Sequence, residues 1–87
     1  MTIILDAVLD TAAAGSLRVA LRKAIETGQP LVIDAEHVER AGQACLQVLV
    51  AARSTAELAG LGFNIQKPSA ALTEMTRLAG LDALVAN

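Results

Sequence analysis

The sequence predicts an α/β domain on a mostly parallel sheet, mixed at its edge, with helices packed against it. Three observations lead there. Short apolar runs rich in β-branched residues alternate with longer segments whose apolar residues recur every three to four positions. Glycines stand where those longer segments end. The chain has 87 residues, 54% hydrophobic and 18% charged, enough for one core and far from the composition of disordered chains. Strands and helices in strict alternation are joined by right-handed crossovers, so a single domain over residues 1–87 is expected.

From Thr2 to Leu9, the residues Ile3, Ile4, Leu5, Val8 and Leu9 are interrupted by Asp6, which reads as one strand or a bent strand pair. Asp10 then offers an oxygen to the free N–H groups of a helix reaching Thr27, with Leu17, Leu21 and Ile25 as its apolar stripe and Gly28 as its stop. Gly15 weakens its first turn. Pro30 to Asp34 is a continuous apolar run, the pattern of a central strand covered on both faces. A polar stretch, Ala35 to Arg40, leads to Gly42 and a helix ending near Ala59, where Cys45, Leu49, Ala52 and Ala56 keep helical spacing and Leu46 and Val50 widen the buried face. After Gly60, Leu61 to Gln66 forms a third strand. Ser69 caps a last helix that Gly80 closes, and Leu81, Leu84 and Val85 form an apolar tail that packs back or meets a partner. Three strands and three helices make a thin domain, so one face is expected to be incompletely covered.

Composition excludes several classes of function. Seven basic against nine acidic residues give a net charge of -2, and Phe63 is the only aromatic residue, so neither an electrostatic grip on nucleic acid nor a base-stacking platform is present. No apolar stretch approaches ~20 residues and no signal-peptide pattern opens the chain, so no membrane insertion and a cytoplasmic location are expected. Cys45 is a lone cysteine and His37 the lone histidine. That excludes an internal disulfide and leaves His37 as the one soft metal ligand besides Cys45, so neither metal nor cofactor is expected.

Candidate catalytic residues are few. Asp34, ending the central strand, stands where a receiver domain carries its phosphoacceptor, but such a site needs an acidic pair for Mg²⁺ that Asp10 alone does not provide. Cys45 and His37 pair as nucleophile and base only if the thiol is exposed beside positive charge, whereas Cys45 falls on an apolar stripe. No catalytic residue is therefore assigned. Arg18, Arg22 and Glu26 stand at i, i+4 and i+8, the spacing of a solvated helix face, although arginine is also frequent at interfaces.

The segment joining the central strand to Gly42 leads to a helix N-terminus, whose free N–H groups and positive dipole end suit an anion or a phosphorylated side chain. The run Pro30-Leu-Val-Ile-Asp-Ala-Glu-His-Val-Glu-Arg-Ala-Gly-Gln-Ala-Cys-Leu-Gln-Val-Leu resembles the STAS family, that of anti-sigma factor antagonists and related regulatory modules. Leu9-Asp10 with Leu17, and Lys67-Pro68-Ser69 with Leu78-Ala-Gly-Leu81, resemble the start of the family's first helix and its last helix and tail. The likeness covers nearly the whole chain, with the leading hairpin shortened to about one strand. The pattern Val38-Glu-Arg-x-Gly42-x-x-Cys45-Leu-Gln-Val-Leu is similar to small STAS proteins of bacterial chemotaxis gene clusters.

The resemblance implies a non-enzymatic, STAS-like signalling module. In phosphorylatable members a motif Asp-Ser/Thr-Ser/Ala-Gly-Leu opens the second helix; here it falls on Gly42, Gln43, Ala44, Cys45 and Leu46, and only Leu46 is kept. The phosphoacceptor hydroxyl is replaced by Gln43. The family docks a kinase, an anti-sigma factor or another regulatory protein, such as a chemotaxis component, on the loop and first turn of this helix. Carried onto this sequence, the surface comprises His37, Glu39, Arg40, Gly42, Gln43, Ala44 and Gln47. Two alternatives stand beside it: a STAS subunit regulating a lipid-transporting ABC complex through its ATPase, and a receiver-like phosphotransfer protein using Asp34. A homodimer is also left open.

Overall fold

The structure, a computed structural model, describes residues 2–85. In chain order the elements are β1 (Thr2–Ile4), β2 (Val8–Leu9), α1 (Thr11–Glu26), β3 (Leu31–Asp34), β4 (Arg40–Ala41), α2 (Gln43–Leu58), β5 (Phe63–Gln66), α3 (Ala70–Leu78) and α4 (Asp82–Val85). The main sheet has the order β1-β3-β5, and β2 pairs with β4 in a second, two-stranded sheet; every pairing is parallel. The run ending in Asp34 is thus the central strand, as its apolar character predicts.

The predicted helix boundaries rest on the anticipated groups. The Asp10 carboxylate accepts from the Ala13 N–H at 3.0 Å, and the Ser69 hydroxyl accepts from the Leu72 N–H at 3.0 Å, so two of the three long helices start under a side-chain cap. Gly28 and Gly60 end α1 and α2 with φ near +72° and +73°, a conformation that costs glycine least. Leu17 and Leu21 of α1 and Cys45, Leu46, Leu49, Ala52 and Ala56 of α2 are buried, while Ile25 and Val50 are half-buried. Val48, not singled out by periodicity, is buried too.

Three features settle or correct the sequence reading. Thr2 to Leu9 form the bent pair, the second of the two readings, with β1 and β2 in different sheets: the Leu5 N–H still donates to the Asp34 carbonyl, after which the Ala7 carbonyl accepts from both Glu39 and Arg40 N–H groups. The stretch Ala35 to Arg40 is not merely polar loop, because Ala35 and Val38 are buried and Arg40–Ala41 is a strand. The third feature corrects the expected coverage of β3. Register places Leu31 and Ile33 beside Ile3, Phe63 and Ile65 on the helix-covered face, whereas Val32 and Asp34 share the other face with Thr2, Ile4, Asn64 and Gln66. Those last four are exposed, Ile4 at 65%, so β3 is fully covered on one face only. The thinness of the domain accounts for this, since its helices suffice for one layer.

The apolar tail packs back as α4. Leu84 joins the core, the Leu81 N–H donates to the Thr76 carbonyl at 2.7 Å, and Arg53 of α2 donates to the Ala83 carbonyl at 2.9 Å.

Candidate functional site: the β3–α2 loop and the start of α2

The segment from Asp34 to Gln47 is held at its ends and along its length. At the end of β3, the Asp34 carboxylate accepts from the Glu36 N–H at 3.0 Å, closing a tight turn. Val38 is 2% exposed and anchors the loop in the core, and two N–H groups on Ala7 plus the Gly42 N–H on the Leu9 carbonyl, at 2.9 Å, tie it to the β2 side. Ala41, Cys45 and Leu46 turn inward. What is left outside is Glu36, His37, Glu39, Arg40, Gly42, Gln43 and Gln47, with Asp34 and Ala44 half-buried.

These exposed residues divide into neighbourhoods. Glu39, Arg40 and Gly42 line a cleft of about 680 Å³ together with Val8 of β2 and Glu74 and Met75 of α3. His37 sits apart, 3.9 Å from Glu36, which is also 3.9 Å from Lys67 at the end of β5. All three side chains are largely exposed, so these pairs contribute little. Gln43 and Gln47 stand one turn apart on the outer side of α2. The sequence reading missed Val8, Glu74 and Met75 because they join the loop only through tertiary packing; no local signal in the chain marks them.

Gly42 caps α2 with φ −87° and ψ 168° and supplies no side-chain oxygen to the first turn. A Cβ built there would lie 3.5 Å from the Leu9 carbonyl, an ordinary contact, so no steric limit requires glycine at this position. The start of α2 keeps its dipole and its N–H groups but has neither a capping carboxylate nor a hydroxyl at position 43.

The other candidate groups are engaged locally. Asp34 serves its turn and Asp10 caps α1, so the two carboxylates of a receiver-like arrangement each hold backbone N–H groups. Among the described residues, no three His, Cys, Asp or Glu side chains lie together in a way that could hold a metal, and no helix is long and apolar enough to cross a membrane.

Cys45 is fully buried, and its thiol donates to the Asp10 carbonyl at 3.2 Å. Burial, and after it the nearby Asp10 charge, pushes the thiol above its ordinary pKa and keeps it protonated. In the unfolded chain it ionises near pH ~8.5. Above that pH the unfolded state loses a proton that the folded state retains, so stability is intact below it and falls as pH rises towards the folded value. Urea unfolding at pH 7.5 and 9.5 should show a drop in wild type that Cys45→Ser lacks; an equal drop in both would assign it to other groups.

Compared with protein-family models, residues 1–86 match the family described as Mlab, STAS domain. The comparison with curated proteins found no match.

Proposed function

The chain belongs to the STAS family, and on that premise we propose that it is a non-enzymatic regulatory module. It binds a protein partner, of the kinase, anti-sigma factor or chemotaxis type, through the β3–α2 loop and the first turn of α2. STAS domains in general are regulatory interaction modules. The observation that carries the reading is the anchored loop: every third residue, Ala35, Val38 and Ala41, is buried, so Glu39, Arg40, Gly42, Gln43 and Gln47 are presented on a fixed frame without the ordering cost a mobile loop would incur on binding. Binding is constitutive. A phosphoryl group at the first position of α2 would add roughly −1.5 to −2 charges, and Gln43 has no hydroxyl to carry one while still donating and accepting hydrogen bonds.

The test compares Gln43→Glu, Gln43→Ser and wild type for affinity towards a co-encoded regulatory protein. Gln43→Glu should weaken binding by about tenfold or more and Gln43→Ser much less, because only the first places a charge against the partner. Loss of fold does not confuse the result, since a carboxylate in the first turn of a helix is itself stabilising by about 0.3–1 kcal/mol. Equal affinities for all three proteins would move the interface elsewhere.

A further inference from the structure

The outer side of α1 breaks the charge pattern of the chain. The molecule carries −2 overall, yet α1 holds Arg18, Arg22 and Lys23 against Glu26 alone, a local charge of +2. Outside α1 three of the four cations are matched, Arg53 with Glu57, Arg77 with Glu74 and Lys67 with Glu36, and Arg40 alone has no ion pair among the described residues. Among the described residues Arg18 and Arg22 form no ion pair, although Glu26 stands one turn beyond Arg22. Both arginines are exposed and line a groove of about 480 Å³ between α1 and α2, whose apolar lining includes Leu21, Ile25, Val48 and Ala52. From α2 the groove is lined by Val48, Ala51, Ala52 and Thr55, none of them long, and the Thr55 hydroxyl is already bonded to the Ala51 carbonyl.

We propose that the α1–α2 groove is a second docking surface, separate from the β3–α2 loop, whose occupant is an amphipathic helix of a partner protein carrying carboxylates beside its apolar stripe. The spacing supports a helix. Arg18 and Arg22 lie one turn apart, about 6 Å along the α1 axis, which matches two acidic residues at i and i+4 on a helix laid along the groove, while its apolar residues cover the half-buried Ile25 and the exposed Ala51 above the buried Leu21, Val48 and Ala52. Glu26 gives the groove an opposite charge at one end and so favours one direction of the occupant. A lipid surface fits less well: the basic cluster is smaller than anionic membranes select, and Glu26 would face the headgroups. A second copy fits poorly through this face, since its own α1 would bring like charge.

The probe is a labelled amphipathic peptide of about four helical turns, with leucines on one face and glutamates at i and i+4 beside them. Its partners are a variant with the glutamates changed to glutamine and one with them changed to lysine, each titrated against wild type and R18E/R22E by fluorescence anisotropy. The glutamate peptide should bind wild type at least about threefold more tightly than the glutamine peptide does, and at least about tenfold more tightly than it binds R18E/R22E, where attraction becomes repulsion. The lysine peptide should recover affinity for R18E/R22E, which shows that the variant is folded and that charge is the cause. Gln43→Glu should leave all these affinities unchanged, so failure here is separate from failure of the loop surface. Affinity that ignores both sets of substitutions overturns the proposal. So does arginine-dependent binding only to phosphatidylglycerol vesicles, or arginine-dependent self-association without peptide binding.

Discussion

Ile33→Lys should abolish folding, whereas Val32→Lys, one residue earlier on the same strand, should leave the domain folded. Ile33 is fully buried in the middle of β3, between Ile3 and Ile65, under the helical layer. Replacing it forfeits about 1.5–3 kcal/mol of apolar burial and leaves a charge without a partner in the core, for about 3–5 kcal/mol more. At roughly 0.05–0.15 kcal/mol per residue, 87 residues carry on the order of 4–13 kcal/mol in total, so the loss is comparable to the whole stability. Val32 points the other way, to the face shared with Thr2, Asp34 and Asn64. There a lysine extends into solvent, and the cost is the strand preference of valine, up to about 1 kcal/mol. Circular dichroism and urea unfolding of the two variants decide it. If Val32→Lys unfolds as completely as Ile33→Lys, the second face of the sheet is covered after all.

That contrast also shows where the sequence was readable. Leu31, Val32 and Ile33 form one apolar run, and a run of that kind announces a central strand without saying how many of its faces are covered. Coverage is decided by the neighbours across the sheet, Thr2 and Asn64 beside Val32 and Ile3 and Ile65 beside Ile33, and these come from segments about thirty residues away in either direction. The long helices were legible because their signals are local: Asp10 and Ser69 as caps, Gly28, Gly60 and Gly80 as stops, and Leu17, Leu21, Cys45 and Leu49 at helical spacing. Strand β4 was not. Arg40 and Ala41 have no β-branched side chain, and they become a strand only because Val8 and Leu9 lie alongside them. Helix α4 is four residues long, too short for a period to show.

The site was legible in part for the same reason. His37, Glu39, Arg40, Gly42, Gln43, Ala44 and Gln47 are consecutive or nearly so, and the resemblance to the STAS family fell on that segment. Their exposure follows from the alternation with Val38, Ala41, Cys45 and Leu46, which are buried. The cleft wall of Val8, Glu74 and Met75 is assembled by β2–β4 pairing and by the packing of α3 beside β4, which no short-range pattern encodes. The groove between α1 and α2 was half visible: the arginine spacing could be read, but not that these two side chains would be left without carboxylate partners beside an apolar floor.

Leu46→Ala should destabilise the domain by about 2–5 kcal/mol, the range for removing a fully buried leucine. The place of Leu46 in the fold gives this residue a structural role that does not depend on the chemistry at the helix start. The side chain is 0% exposed and belongs to the same core cluster as Leu9, Val38, Ala41 and Leu49. It therefore seats the first turn of α2 on the residues that anchor the loop, whatever stands at positions 42 and 43. Alanine would leave a void directly behind the proposed docking surface, and in a domain this small the neighbours can close it only by moving the loop. With a urea m-value near 1 kcal/mol/M, the expected loss shifts the unfolding midpoint by about 2 M or more. Leu46→Met keeps the volume and should cost less than about 1.5 kcal/mol. Partner affinity should follow stability in this pair, unchanged for methionine and reduced for alanine, whereas Gln43→Glu reduces affinity at undiminished stability. A Leu46→Ala variant that loses less than about 1 kcal/mol would show that the loop and helix are seated by other contacts, and would separate this core position from the surface it supports.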